Sequence, residues 1–249
     1  MGPEAGQLSV ARPAFYAARP GGWRDWWTLL HPPYTAWHLS YVVIGATLAP
    51  RTDAVRLLAT LLGFFFAVGV AAHALDELQG RPLHTSIRSG WLVGASASGL
   101  LIACALGVAG VAEVGPGLLI FIVIGPVLVF GYNLELFGGR MHSDFGFAAS
   151  WGAFPVLVAY FVQAERLDLI AVLGAVAALG FSLAQRSLST PARVLRRRVA
   201  SLDANLTMDD GSTQALSVPM VLEPLERALR SLSWAMVALA AALALARVV

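Results

Sequence analysis

His73, Asp76 and Glu77 stand at the end of a long apolar run, followed by Gln79-Gly80-Arg81-Pro82-Leu83-His84-Thr85 before the next apolar run begins. Spacings of i, i+3 and i+4 bring a helical imidazole and two carboxylates toward one face, where nitrogen and oxygen donors converge on a cation. Ionisable groups at the mouth of a membrane segment are costly without a partner, so this cluster is the first place to look for chemistry. Farther along the chain lie a second set of polar residues, Tyr132, Arg140, His142 and Asp144, and a basic run comprising Arg186, Arg193, Arg196, Arg197 and Arg198. Guanidinium groups favour phosphate oxygens, and all seventeen basic residues are Arg. Base composition of the genome is the simpler explanation of that bias.

The elements that must position these groups are membrane helices. Hydrophobic residues make up 57% of the 249 residues and charged ones 13%, with mean hydropathy +0.70. That charged fraction is about half of the roughly 25% usual in a soluble domain, so the expected class is an all-α, polytopic membrane helical bundle. Seven apolar segments are expected to span: Tyr34–Leu48, Val55–Ala74, Trp91–Ala112, Pro116–Tyr132, Phe145–Gln163, Leu167–Leu183 and Leu229–Val249. Residues 1–33 form a tail without a cleavable signal pattern, ending in Trp23-Arg24-Asp25-Trp26-Trp27, a composition suited to the headgroup layer. Residues 34–184 hold the first six segments, 185–227 a basic and polar excursion, and 228–249 the last helix. With seven spans, every arginine except Arg51, Arg56, Arg166 and Arg247 falls on the side of the tail, which the positive-inside rule makes cytoplasmic. The motif at His73 to Thr85 lies on that side. The single cysteine, Cys104, excludes an internal disulfide or a cysteine metal site. No internal repeat or nucleic-acid motif is present, and the arginine cluster is too small to argue for nucleic acid.

His73-Ala74-Leu75-Asp76-Glu77 with Gly80-Arg81-Pro82-Leu83-His84-Thr85 resembles the first aspartate-rich motif of the UbiA superfamily of intramembrane prenyltransferases. His31-Pro32-Pro33 through Ala49 is similar to that family's first span. Tyr132-Asn133 through Gly138, with Ser150-Trp151-Gly152-Ala153-Phe154-Pro155 and Tyr160, is similar to its loop after span 4 and its fifth span. The resemblance covers about residues 28–185. It implies seven, and up to nine, transmembrane helices around a central cavity, where Mg²⁺ would bind the diphosphate of an isoprenoid donor. On that mapping Asp76 and Glu77 would be metal ligands and, with Arg81, the catalytic set. His73, Tyr132, Arg140, Arg186 and Arg193 would contact substrate. Magnesium prefers oxygen ligands and substrate phosphates, and its charge improves a diphosphate leaving group.

The chain also departs from the pattern. Where a second aspartate-rich motif is expected it reads Gln185-Arg186-Ser187-Leu188-Ser189-Thr190-Pro191-Ala192-Arg193, without a carboxylate; the nearest acids are Asp203, Asp209 and Asp210. Two functions therefore follow from the resemblance. One is a prenyltransferase or related terpene-type enzyme in which Arg186 and Arg193 take over part of the missing metal site. The other is a non-catalytic protein of the same architecture that binds a lipid, quinone or carotenoid-like molecule, or serves as a partner subunit.

Overall fold

A computed structural model describes residues 12–247. Within them the chain forms eight helices and one small hairpin: α1 (Trp23–Leu29), α2 (Pro32–Leu48), α3 (Ala54–Leu78), α4 (Ser89–Val114), α5 (Leu118–Asn133), α6 (Asp144–Ala164), α7 (Leu169–Arg197), β1 (Ala204–Thr207), β2 (Thr213–Leu216) and α8 (Val218–Leu245). Each of the seven expected apolar segments overlaps one of helices α2 to α8. Among the described residues five of these, α3, α4, α6, α7 and α8, are long and apolar enough to cross a membrane, and α5 is a shorter apolar helix. Large apolar side chains such as Leu101, Val123, Leu169 and Leu173 point outward, a surface suited to lipid rather than water.

Helix starts follow local chemistry. Asp53 accepts from the backbone N–H groups of Val55 and Arg56 to cap α3; Asp168 does the same for Ile170 and Ala171 of α7; Ser143 caps α6 through Gly146 N–H. The centre of the bundle is α6, more than half buried, against α2 and α7. Small residues allow these close approaches. A Cβ on Gly45 of α2 would stand 2.4 Å from the Val156 carbonyl oxygen of α6, and one on Gly152 would stand 2.8 Å from the Ala178 carbonyl oxygen of α7.

Two stretches widen to π-helical pitch: Phe65–Ala72 within α3 and Ala149–Ala153 within α6. The second has a visible cause. Pro155 has no N–H, so the carbonyl of Trp151, four residues earlier, has no α-helical partner. That carbonyl instead meets His38 Nδ1 of α2 at 2.9 Å. Proline chemistry thus sets the position of Trp151.

The basic and polar excursion is shorter than 185–227. α7 continues to Arg197 and α8 starts at Val218, which leaves only residues 198–217 outside helices. This connection carries the antiparallel pair β1–β2, a local exception to the all-α class. The basic run stays helical because Leu188, Ala192 and Leu195 still have Leu222 and Leu229 of α8 to pack against.

Helix α1 leaves Trp23 and Trp27 exposed and buries Leu29 against Ala74, Ile87 and Leu92. Its Asp25 carboxylate accepts from Gly21 N–H at 2.9 Å, from Ser86 N–H at 3.0 Å and from the Ser86 hydroxyl, so it ties the tail to the loop after α3. Burial acts to raise the Asp25 pKa, but the hydrogen bonds from Gly21 and Ser86 prevail and hold it below the ordinary carboxylate value. A depressed folded pKa contributes stability that is present above the unfolded value and lost as pH falls through the folded one. Docking of α1 is therefore expected to weaken on acidification below the usual carboxylate range. Tryptophan emission of the wild type should change there, whereas Asp25→Asn should show the loosened signal already at neutral pH.

Candidate functional site

Of the three residues at the end of α3, two face one chamber and one does not. His73 and Asp76 line a cavity of about 160 Å³ at the arginine-rich end of the bundle. Glu77, fully buried, turns away from it. Its Oε2 accepts from Leu83 N–H at 2.9 Å, and its Oε1 accepts from Thr85 N–H at 2.9 Å and Thr85 Oγ1 at 2.8 Å. These bonds hold a loop in which Gly80, Arg81 and His84 all have positive φ, a backbone region costly for the two non-glycine residues. The expectation that Glu77 joins Asp76 at a metal is at odds with this geometry: neighbouring helical residues diverge by about 100°. Arg81 departs from expectation as well. Its guanidinium donates to the Ile87 carbonyl and to Ser89 Oγ at 2.8 Å, and it does not line the chamber. Arg140 is exposed on the loop after α5 and likewise lies outside the lining.

The other expected residues do come together. Tyr132 reaches the chamber from the end of α5, stacked on His142 at 4.6 Å between centroids. Arg186 enters from α7, donating to Asp144 at 2.9 Å with its guanidinium 5.1 Å over the Phe147 ring. Arg193, two helical turns along, lines the same space. His73 stacks on His31 at 4.3 Å, and its Nδ1 faces the Gly69 carbonyl at 3.2 Å.

Sequence reasoning missed the companions of Arg186 and Arg193 on α7. Gln185, Ser189, Arg196 and Arg197 line the chamber with those two, and their combined spacing of i, i+1, i+4, i+8, i+11 and i+12 is one face of α7. That spacing was the available signal, obscured by assigning the segment to a polar excursion. The tail supplies a strap: Pro13 to Tyr16 cover one side, held by Arg197 Nε donating to the Pro13 carbonyl at 3.1 Å and by Arg230 stacking 5.3 Å from the Phe15 centroid. Nothing in the sequence pattern announces that contact.

Electrostatics give the chamber its character. Tyr16 OH is 2.8 Å from His31 Nδ1. Burial pushes the Tyr16 pKa well up and the His31 pKa well down, with His73, Arg197 and Arg193 adding to the latter, so the phenol is protonated and the imidazole neutral. When Tyr16 donates to Nδ1, the proton of His31 sits on Nε2. Among the described residues three buried side-chain polar atoms have no partner: His31 Nε2, Gln185 Oε1 and Ser189 Oγ. All three belong to residues that line this one chamber. Unsatisfied buried polar atoms cost about 1–3 kcal/mol each, so their clustering points to an occupant.

The donor set does not fit a resident magnesium ion. Of the carboxylates lining the chamber, Glu226 is engaged by Arg196, leaving Asp76, whose carboxylate makes no hydrogen bond among the described residues, as the lone oxygen donor of that kind. Among those residues no group of three or more His, Cys, Asp or Glu side chains is placed to hold a metal. Magnesium needs about six oxygens, whereas this lining is dominated by guanidinium, imidazole and phenol groups. It is suited to an anion. No family model matches the chain, and neither a curated protein nor a solved structure matches it.

Proposed function

We propose that the protein binds the anionic head of an isoprenoid diphosphate or another membrane amphiphile in the chamber between α3 and α7. The observation that carries this reading is that Arg186, Arg193 and Arg197 line one chamber together with His31 and Ser189, whose Nε2 and Oγ have no hydrogen-bond partner among the described residues. Phosphate oxygens accept from guanidinium, imidazole and hydroxyl groups together. The UbiA resemblance supplies the ligand class, and the bundle is that of an integral membrane protein with the chamber at the arginine-rich, cytoplasmic end. Binding by arginines rather than by a resident metal favours the non-catalytic reading.

The prenyltransferase reading has one observation in its favour: the Asp76 carboxylate has no hydrogen-bond partner among the described residues and lines the chamber beside groups that would hold a leaving diphosphate. Pyrophosphate release from isoprenoid diphosphates in the presence of Mg²⁺, lost in Asp76→Asn, would establish it. For the binding reading, the decisive variant is Arg193→Ala. A charge-assisted hydrogen bond is worth about 1.5–3 kcal/mol, so affinity for methyl phosphate or a farnesyl diphosphate should fall roughly 10- to 100-fold. Titration followed by native mass spectrometry checks it. Unchanged affinity, or no phosphate binding by the wild type, would refute the assignment of the head to this chamber.

A further inference from the structure

The segment before α1 turns back on the helix. Gly21 and Gly22 both have positive φ, and ahead of them Ala18 N–H donates to Thr28 Oγ1 at 3.0 Å, which lays Ala18 and Arg19 alongside α1. Asp25, Thr28 and Leu29, spaced i, i+3 and i+4, form the buried face of the helix. Trp23, Arg24 and Trp27, spaced i, i+1 and i+4, form the outer face, with the two indoles 72% and 49% exposed. Ala18, Arg19, Trp23, Arg24 and Trp27 together line an open cleft, with the Arg24 guanidinium 5.9 Å over the Trp23 ring. Among the described residues this lining holds two arginines and no carboxylate, because the one acid of α1, Asp25, is turned inward onto Gly21 and Ser86. The cleft lies at the level where two spanning helices end. Leu29 packs against Ala74 near the end of α3 and against Leu92 in the first turn of α4, and beside Leu92 the Trp91 side chain is exposed as well. Ends of spanning helices sit in the headgroup layer, where indoles are favoured and lipid phosphates are concentrated.

We infer that this cleft binds the headgroup of an anionic phospholipid of the surrounding leaflet, Arg19 and Arg24 taking its phosphate and Trp23 and Trp27 its glycerol and upper acyl region. The site stands apart from the chamber, with which it shares no lining residue, and its assignment is independent of what the chamber holds. A lipid of net negative charge fits better than a zwitterionic one. A choline group would bring a further positive charge to two arginines whose cleft has no acid to offset it. Each arginine near a membrane surface is worth about a fivefold preference for anionic lipid, so the pair gives roughly thirtyfold. The hydrogen bonds of Asp25 to Gly21 and Ser86 fix α1 to the loop after α3, so the bound lipid holds that corner of the bundle to the leaflet.

The test titrates detergent-purified protein with dioleoylphosphatidylglycerol or dioleoylphosphatidylcholine and follows the first lipid bound by native mass spectrometry. Wild type should bind the phosphatidylglycerol roughly thirtyfold more tightly. Arg19→Gln combined with Arg24→Gln should abolish the preference by weakening phosphatidylglycerol alone. Both side chains are exposed, so the double variant should keep its fold, which unfolding in graded SDS checks. Arg193→Ala, which alters the chamber and not the cleft, should retain the preference. Loss of the preference in Arg193→Ala with retention in the double variant would place the lipid in the chamber and overturn the assignment. Equal affinity of wild type for the two lipids, or a preference unchanged in the double variant, would overturn it too, and neither result bears on phosphate binding in the chamber.

Discussion

Replacing Glu77 with Ala is expected to destabilise the protein by about 3–5 kcal/mol, more than any other single change at the end of α3, because three donors lose one buried carboxylate. Leu83 N–H, Thr85 N–H and Thr85 Oγ1 have no other partner in the bonds described, and the loop they belong to holds Arg81 and His84 at positive φ. Glu77→Gln should recover part of the loss: an amide oxygen still accepts, but its NH₂ is turned on a donor. Unfolding of detergent-solubilised protein by graded SDS measures the order wild type, Gln, Ala. A metal-ligand role gives a different pattern, with both variants equally impaired in magnesium-dependent binding and little changed in stability. Asp76→Asn supplies the contrast, since its side chain faces the chamber and holds no loop. Its stability should stay close to wild type.

The same pair shows what was legible in the sequence and what was not. Hydrophobic length marked the helices, because lipid demands long apolar runs whatever the tertiary arrangement. Spacings of i+3 and i+4 placed Asp76 and Glu77 on the His73 side of α3, yet those two positions lie on opposite flanks of it. Only the packing of the loop against α1 and α4 decides which flank is core. Arg186 and Arg193 follow from the resemblance, at the place of the missing second motif, whereas the face they share with Gln185 and Ser189 depends on α7 continuing to Arg197. Proline disfavours a helix interior, yet α7 runs through Pro191, and packing against α8 outweighs that cost. The strap at Pro13 to Tyr16 was beyond reach, since it is held by backbone carbonyls that any sequence possesses. The hairpin at β1–β2 is polar and short, and gives no hydrophobic pattern to read.

Glu226 joins α7 to α8 at the chamber wall, and removing it is expected to move stability and ligand affinity in opposite directions. Its carboxylate takes the Arg196 guanidinium in a two-pronged pair, Nε to Oε1 and Nη2 to Oε2 at 2.7 Å, with the side chains only 5% and 11% exposed. Burying two charges is costly, so the pair as a whole adds little to stability over apolar residues of similar size, but removing the carboxylate leaves a buried positive charge without its counter-ion. Glu226→Ala should therefore cost about 3–5 kcal/mol, while Glu226→Leu combined with Arg196→Met should lie much closer to wild type. The double variant shows whether the single loss comes from the uncompensated charge or from the packing of α7 against Leu222 and Leu229 of α8. Affinity separates the roles further. Glu226 is a negative charge on the lining of a chamber that includes Arg193, Arg196 and Arg197. An anionic head pays electrostatically to sit beside it, so Glu226→Ala should bind methyl phosphate more tightly than wild type, although the protein unfolds more readily. The double variant, which removes one charge of each sign, should bind close to wild type. Parallel loss of stability and affinity in Glu226→Ala would mean that the chamber does not hold the anion.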